Sequence, residues 1–376
     1  MPPVTYEQAS TKEVQASAAG GCAENLEPLM SRPLARVALA VGAVVATLGM
    51  SACGGDSPAA TGAAPAQVRL GYFPNVTHAT AIVAEKEGFF GKHLRATKLK
   101  VSRFNAGPAA MEALKSGAID ATYVGPGPVT NAYINSGGKA LTVVAGAATG
   151  GTSLVVDPSI KSAADLKGKK VSTPQLGNTQ DISLRYWLKQ HGLKTDLQGG
   201  GDVNILPQAN AQIVDAFKQK LIAGAWVPEP YATRLVEAGG TVLVDERDLW
   251  PDKKFAITVL AVRTDFLAAH PETVKALLSG DLDAADFIAK NPAKAQKDVG
   301  DLIATISGKP LKPAVIAAAW RQLEFTVDPV PSSLLTGARH AYEVGVLKEE
   351  PKLDGLIDLT LLNQLLKERG KPEIAP

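Results

Sequence analysis

Two stretches of this chain repeat one another without a gap. Ala113-Leu114-Lys115 returns as Ala216-Phe217-Lys218, Ile119 as Ile222, and Tyr123-Val124 as Trp226-Val227, each displaced by 103 positions. The same displacement carries Val68 onto Val171, Asn75 onto Asn178, and Asn105-Ala106 onto Gln208-Ala209. A constant offset across three successive strand-to-helix junctions predicts two halves of similar design, at about 68–133 and 171–236. Within the first half, apolar runs at Val68–Tyr72, Leu99–Phe104 and Ala121–Val124 alternate with helix-period segments that begin near Thr77 and Ala109. Such a βαβαβ series builds a parallel sheet with helices on its faces.

Leu141–Ala147 and Ser153–Asp157 lie between the halves, and Thr241–Asp245 and Phe255–Val262 follow the second. They read as strands that carry the chain from one lobe to the other. If the first lobe is completed after the second, the chain crosses twice, which makes a hinge of two strands. Beyond Thr264 the apolar spacing is helical, with Pro271, Pro292, Pro310 and Pro331 near helix starts, and this segment is expected to pack on the first lobe. The fold class is therefore α/β, with two doubly wound lobes: lobe 1 over 67–154, completed by a mostly helical 257–376, and lobe 2 over 155–256.

The region before Gln67 has a different character. Arg32 and Arg36 precede an apolar run from Val37 to Gly49, then Met50-Ser51-Ala52-Cys53, the order of segments in a secretory signal. A run of this length falls short of the roughly 20 residues that a membrane span needs. Small residues directly before Cys53 resemble a lipobox, so 30–53 reads as a lipoprotein signal peptide and Cys53 as the lipid attachment site. Residues 54–66, rich in Ala, Gly, Pro and Ser, read as a flexible linker. Residues 1–29 read as a mis-set start or a disordered extension, and Cys22 is given no role.

Several classes of chemistry are set aside. Lys and Arg number 39 against 37 Asp and Glu, and no long basic run gives the footprint that nucleic acid requires. The five histidines, His78, His93, His191, His270 and His340, have no ligand spacing, so no metal site is expected. Gly125-Pro126-Gly127 superficially resembles a dinucleotide-binding turn, but Thr130 stands at the third glycine position. No loop ends in Gly-Lys-Ser/Thr, and neither a G-x-S-x-G elbow nor a paired His and Cys occurs. No cofactor and no catalytic residues are expected.

Ligands of open α/β sheets bind beyond the carboxyl ends of the strands. In the first half those ends lead into Phe73–His78, Asn105–Pro108 and Gly125–Pro128; in the second, into Gln175–Gln180, Pro207–Asn210 and Pro228–Tyr231. These loops are rich in Gly, Pro, Asn, Gln and Thr and nearly empty of ionisable groups. Backbone N–H groups at helix starts hold anions without Lys or Arg, so a sulfonate, phosphonate, nitrate or carboxylate head suits them. Ordinary capping by Thr77, Asn178 and Thr179 is the plain alternative for any one loop. His78 either touches the ligand or is structural. Trp226 and Tyr123, equivalent in the repeat, read either as core aromatics or, for Trp226, as a wall for an organic group. Glu229 between two prolines pairs with a cationic ligand group, pairs with a basic residue of the opposite lobe, or is a solvated loop charge.

Six stretches together resemble the nitrate/sulfonate/taurine group of ABC-importer substrate-binding proteins. They are 68–75 (VRLGYFPN), 84–90 (AEKEGFF), 112–121 (EALKSGAIDA), 166–171 (LKGKKV), 225–231 (AWVPEPY) and 263–272 (RTDFLAAHPE). The resemblance covers nearly all of 67–368 and implies a type II periplasmic-binding-protein fold that closes on its ligand and docks to a membrane permease. Carried over by position, it implies a cleft lined by Asn75, Thr77, His78, Gly125, Pro126, Gly150, Gly151, Thr152, Gly177, Asn178, Thr179, Trp226 and Glu229. Phe73 and Asn105 join them from the candidate loops. The implied protein is an extracytoplasmic monomer that meets the membrane only through lipidated Cys53. It captures a small organic anion, nearest an aliphatic sulfonate or taurine. Nitrate, bicarbonate and a thiamine pyrimidine precursor are the alternative ligands, with a pyrimidine-synthase-like enzyme or a receptor module using the lobe surface as further rivals.

Overall fold

The protein is described by a computed structural model that covers residues 64–375. The signal peptide, Cys53 and most of the expected linker lie outside the described residues. From Gln67 the chain runs through β1 (Gln67–Tyr72), α1 (Ala79–Lys86), α2 (Phe89–Leu94), β2 (Lys98–Arg103), α3 (Gly107–Lys115), β3 (Ala121–Val124), α4 (Pro126–Asn135) and β4 (Leu141–Gly150). The second half holds β5 (Thr152–Val156), β6 (Lys170–Thr173), α5 (Thr179–Gln190), β7 (Asn204–Pro207), α6 (Asn210–Lys218), β8 (Gly224–Pro228), α7 (Tyr231–Glu237) and β9 (Thr241–Asp245). Then come β10 (Ala256–Arg263), α8 (Thr264–Ala269), α9 (Pro271–Lys290), α10 (Pro292–Ser307), α11 (Pro313–Trp320), β11 (Leu323–Glu324), α12 (Pro331–Glu343) and α13 (Thr360–Glu368). Proline opens α9, α10, α11 and α12, where its missing N–H has no intrahelical partner to lose. Helix α11 starts at Pro313, three residues beyond the expected Pro310.

One sheet has the order β11-β4-β10-β3-β1-β2 and the other β7-β6-β8-β5-β9. In each, three parallel strands come first, β2-β1-β3 and β7-β6-β8. The strand that follows each crossing, β10 or β5, then lies antiparallel beside the third. Helices cover both faces of both sheets, as an apolar parallel sheet requires. The larger core joins Val68, Leu70, Tyr123, Val144 and Leu260 to apolar residues of α1, α9, α10 and α13.

The repeat is visible in three dimensions, with one displacement. Helices α3 and α6 are related by the 103-residue offset at both ends. In the strands, however, Leu70 stands opposite Ala121, whereas Val171 stands opposite Gly224. Leu70, rather than Val68, is thus the partner of Val171. A shift of two residues leaves every side chain on its original face, so the slip costs the core nothing. The extra length is absorbed in the loop before Asn178.

The chain crosses between the sheets twice. The first crossing is a single residue, Gly151, between β4 and β5; Gly150 and Gly151 have φ of +74° and +67°. The second runs over residues 246–255 through two 3-10 turns and carries no strand, unlike the expected two-strand hinge. Helix α9 packs on α1 and α2, α10 on α1, and α13 on α9 and β4. Helix α12 does more, because it packs against both α4 and α5. There the Tyr186 and His340 rings stack at 3.5 Å, and Lys189 Nζ donates to a Glu343 carboxylate oxygen at 3.0 Å.

The first crossing gives a test of this geometry. A Cβ on Gly150 would lie 2.8 Å from the Gln322 carbonyl oxygen, in a left-handed conformation that side chains disfavour. Gly150→Ala is expected to lower unfolding free energy by about 1–3 kcal/mol in urea denaturation. Gly168→Ala, at φ +73° with open space around it, is expected to lose less.

Candidate ligand-binding cleft

Strand ends of both halves converge on one small cavity of about 320 Å3, counting its open mouth. Phe73, Asn75, Thr77, His78, Asn105 and Gly125 line it from the first half, and Asn178, Thr179, Gln180, Asn210 and Pro228 from the second. Ile257 of β10 completes the wall; nothing in the sequence marks this residue, because the return of β10 to the first sheet is a tertiary fact. Gln180, Asn210 and Pro228 belong to the loops singled out from the sequence. Eight of the individually predicted residues meet here: Phe73, Asn75, Thr77, His78, Asn105, Gly125, Asn178 and Thr179.

Among the described residues, no Lys, Arg, Asp or Glu lines this cavity. Its positive character comes from backbone instead. Gly125 precedes α4, Asn178 precedes α5, and Asn210 opens α6, so three helix starts meet at the seam. Helices α5 and α6 each contribute unpaired N–H groups and about half a positive charge; α4 begins Pro126-Gly127-Pro128, where the prolines have no N–H and Gly127 donates to Thr179 Oγ1, so it adds its dipole alone. Ordinary capping does not occupy these side chains: neither Asn75 nor Asn178 caps the helical turn that follows it. Asn178 instead donates from Nδ2 to Gln180 Oε1 at 3.2 Å, and Thr179 Oγ1 accepts the Gly127 N–H at 3.2 Å across the seam.

His78 is buried in the wall, its ring 4.4 Å from that of Phe73. Its Nδ1 accepts the Phe73 N–H at 3.4 Å, and burial pushes its pKa down to about 3. The ring is therefore neutral at physiological pH and carries its proton on Nε2, which makes it a donor.

The loop that holds Asn178 is fixed from behind. Asp181 is fully buried and accepts from Thr173 Oγ1, the Gly177 N–H and Arg185 Nε at 2.9–3.0 Å. Gly177, at φ +73°, serves this turn rather than the cavity wall. The Asp181–Arg185 pair escaped the sequence reading, although its i,i+4 spacing on α5 is a recognisable signal.

The other predicted residues sit elsewhere. Pro126 lines an adjoining chamber of about 370 Å3 with Ile182, Trp250, Phe255 and His340, which shares Thr179 with the first cavity. Gly150 and Gly151 form the first crossing, and Thr152 Oγ1 donates to the Val227 carbonyl within the second sheet. Trp226 is fully buried in the second lobe's core, 6.2 Å from the Trp187 ring, with Nε1 donating to Glu246 Oε2 at 2.7 Å. Its side chain points away from the cavity, in line with the core alternative. Glu229 is neither solvated nor paired with a cation. It is 3% exposed and accepts the Thr233 N–H and Oγ1 at 3.1 and 3.0 Å, which caps the start of α7.

Two lobes that close a donor-rich cavity at their common seam define a substrate-binding protein of the periplasmic-binding type. The model of the NMT1-like family matches residues 61–304. The taurine-binding periplasmic protein of Escherichia coli K12 is 30% identical over 233 residues, 61% of this chain and 70% of that one. Among solved structures, the alkanesulfonate-binding protein SsuA from Xanthomonas axonopodis pv. citri, bound to MOPS, is similar with a TM-score of 0.66. It is 21% identical, over 79% of this chain and 99% of that one. The periplasmic nitrate-binding protein NrtA from Synechocystis PCC 6803 gives a TM-score of 0.66 at 19% identity, over 81% and 89%. The chain belongs to the NMT1-like family, within the nitrate, sulfonate and taurine group of ABC-importer substrate-binding proteins. These relatives are binding proteins rather than enzymes.

Burial pushes the Glu229 carboxyl up to about 7 from an ordinary 4.5, although the Thr233 hydrogen bonds pull it back in part. The folded protein thus keeps a proton that the unfolded chain releases. Stability falls as pH rises from about 4.5 to about 7, and the loss is complete above that. Glu246 and Asp281, buried and also raised to about 7, act in the same sense. Glu229→Gln is expected to make the unfolding free energy less dependent on pH over this window. The recovery, read by urea denaturation, amounts to at most about 3 kcal/mol at alkaline pH.

Proposed function

We propose that this chain is the extracytoplasmic solute receptor of an ABC importer, and that it captures a small organic anion, nearest an aliphatic sulfonate or taurine. The observation that carries the reading is the cavity at the seam, built by both lobes from amides, hydroxyls and helix starts with no ionised side chain. A ligand there gains contacts from both lobes only when they are together, so it biases an open–closed equilibrium toward closure. Phe73 offers an apolar face to the organic part, and Asn75, Asn178 and the neutral His78 are placed for its oxyanion. The small volume also suits nitrate and bicarbonate, which keeps them as the second reading. The E. coli relative's name, taurine-binding, supports the first.

The same reading places the protein outside the cytoplasm, held to the membrane by acylated Cys53 and delivering its ligand to a permease. The order Arg32, Arg36, apolar run, Ser51-Ala52-Cys53 supports it. Cys53→Ala is expected to move the protein from the membrane fraction into the soluble fraction; unchanged fractionation refutes the anchor.

A thermal-shift panel of taurine, alkanesulfonates, nitrate, bicarbonate, phosphonates and a formyl-aminopyrimidine tests the ligand assignment, because a ligand of the native state alone raises its melting point. The expected result is a shift with sulfonates that Asn178→Glu abolishes. A shift only with the pyrimidine, or one that survives Asn178→Glu, overturns the assigned site.

A further inference from the structure

We propose that the face where α12 meets α5 is a latch between the lobes, in which Tyr186 and His340 act as positioning residues that set how tightly any solute is held without choosing among solutes; this rests on the reading of the chain as a receptor that closes on its ligand. Helix α12 belongs to the first lobe at its start. Leu334 is fully buried in that lobe's core, and Ser333 Oγ accepts the Ala256 N–H at 3.0 Å. Val330, which leads into the helix, holds a left-handed φ of +47° that a β-branched residue before proline strongly disfavours. Strain of this kind persists only where the surroundings enforce it, and here it turns the chain into α12.

The far half of α12 reaches the second lobe. Ala338, Ala341 and, just past the helix, Leu347 form one buried cluster with Ile182 of α5. One turn further along α5, the Tyr186 ring lies on that of His340, with centroids 3.5 Å apart and planes 12° from parallel. Lys189 Nζ donates to both the carbonyl and the carboxylate of Glu343 at 3.0 Å. That ion pair is exposed and contributes little in water, so the apolar cluster and the stacked rings carry the contact. None of these residues lines the cavity of the candidate site; Ile182 and His340 border only the adjoining chamber.

A contact made between the lobes and away from the ligand contributes the same free energy to closure whatever the solute. The apparent dissociation constant of each solute is its intrinsic constant divided by the closed fraction, so the latch scales all affinities by one factor. Differences between solutes are left to the cavity residues.

The test is calorimetry on the mature protein with methanesulfonate, taurine and nitrate. His340→Ala and Tyr186→Ala are each expected to weaken every probe that binds by one common factor, about threefold to tenfold, with the unliganded melting point as the check on folding. The double variant is expected to add little, because either change alone removes the stack. His340→Phe keeps a ring on Tyr186 and is expected to restore the affinities. Unchanged affinities in the folded Ala variants overturn the latch and leave the receptor reading in place. A loss confined to one probe, or a Phe variant as weak as Ala, overturns it too. If none of the three probes binds the unaltered protein, the receptor reading fails and the latch with it.

Discussion

Unpaired backbone amides at the starts of α5 and α6, with the dipole of α4 beside them, set the character of the cleft. The first turn of a helix ordinarily has N–H groups without an intrahelical acceptor, and here α5 and α6 begin at a seam largely closed to water, beside α4, whose Pro126 and Pro128 have none to donate. Neither Gly125, Asn178 nor Ala209 caps its helix with a side chain. One acidic group is present, Asp181 in the first turn of α5, but it faces inward to Thr173, Gly177 and Arg185 and is fully occupied. The seam therefore offers donors and requires an acceptor from elsewhere. Without the parallel strands that aim successive helices the same way, this concentration of donors would not arise.

The duplicated design was legible because it rests on periodicity and spacing. Apolar runs and helix-period segments located β1, β2, β3 and their counterparts, and the constant offset matched α3 to α6 residue for residue. The two-residue slip of β6 escaped because it preserves the alternation that pattern reading detects. At the site, loops at strand ends could be named in advance, and eight of their predicted residues share one cavity. Direction was harder. Trp226 and Glu229 occupy the right loop, but Trp226 turns into the core toward Glu246, and Glu229 turns back onto Thr233. Residue type and position do not specify which way a side chain points when a local hydrogen bond competes for it.

The second lobe also contains carboxyl groups out of their usual element. Glu229 and Glu246 are both buried, and burial holds both close to neutrality in charge below about pH 7. Glu246 accepts from Ser183 Oγ and Trp226 Nε1, which joins α5 to β8 beneath the adjoining chamber. These contacts fix α5, and α5 carries Asn178 and Thr179 at its start. The polar groups behind the cleft thus position those on its surface, without themselves reaching it.

Helix α12 touches both halves, through α4 on one side and α5 on the other. Separation of the lobes therefore cannot be a free swing about Gly151 and the 246–255 connector. It must either peel Tyr186 from His340 or drag α12 along with α5 and slide it over α4. Besides the two covalent crossings, the lobes are held where α12 meets α5, where α11 meets α7 and at the Gly127–Thr179 hydrogen bond, and all three contacts must break or slide as they part.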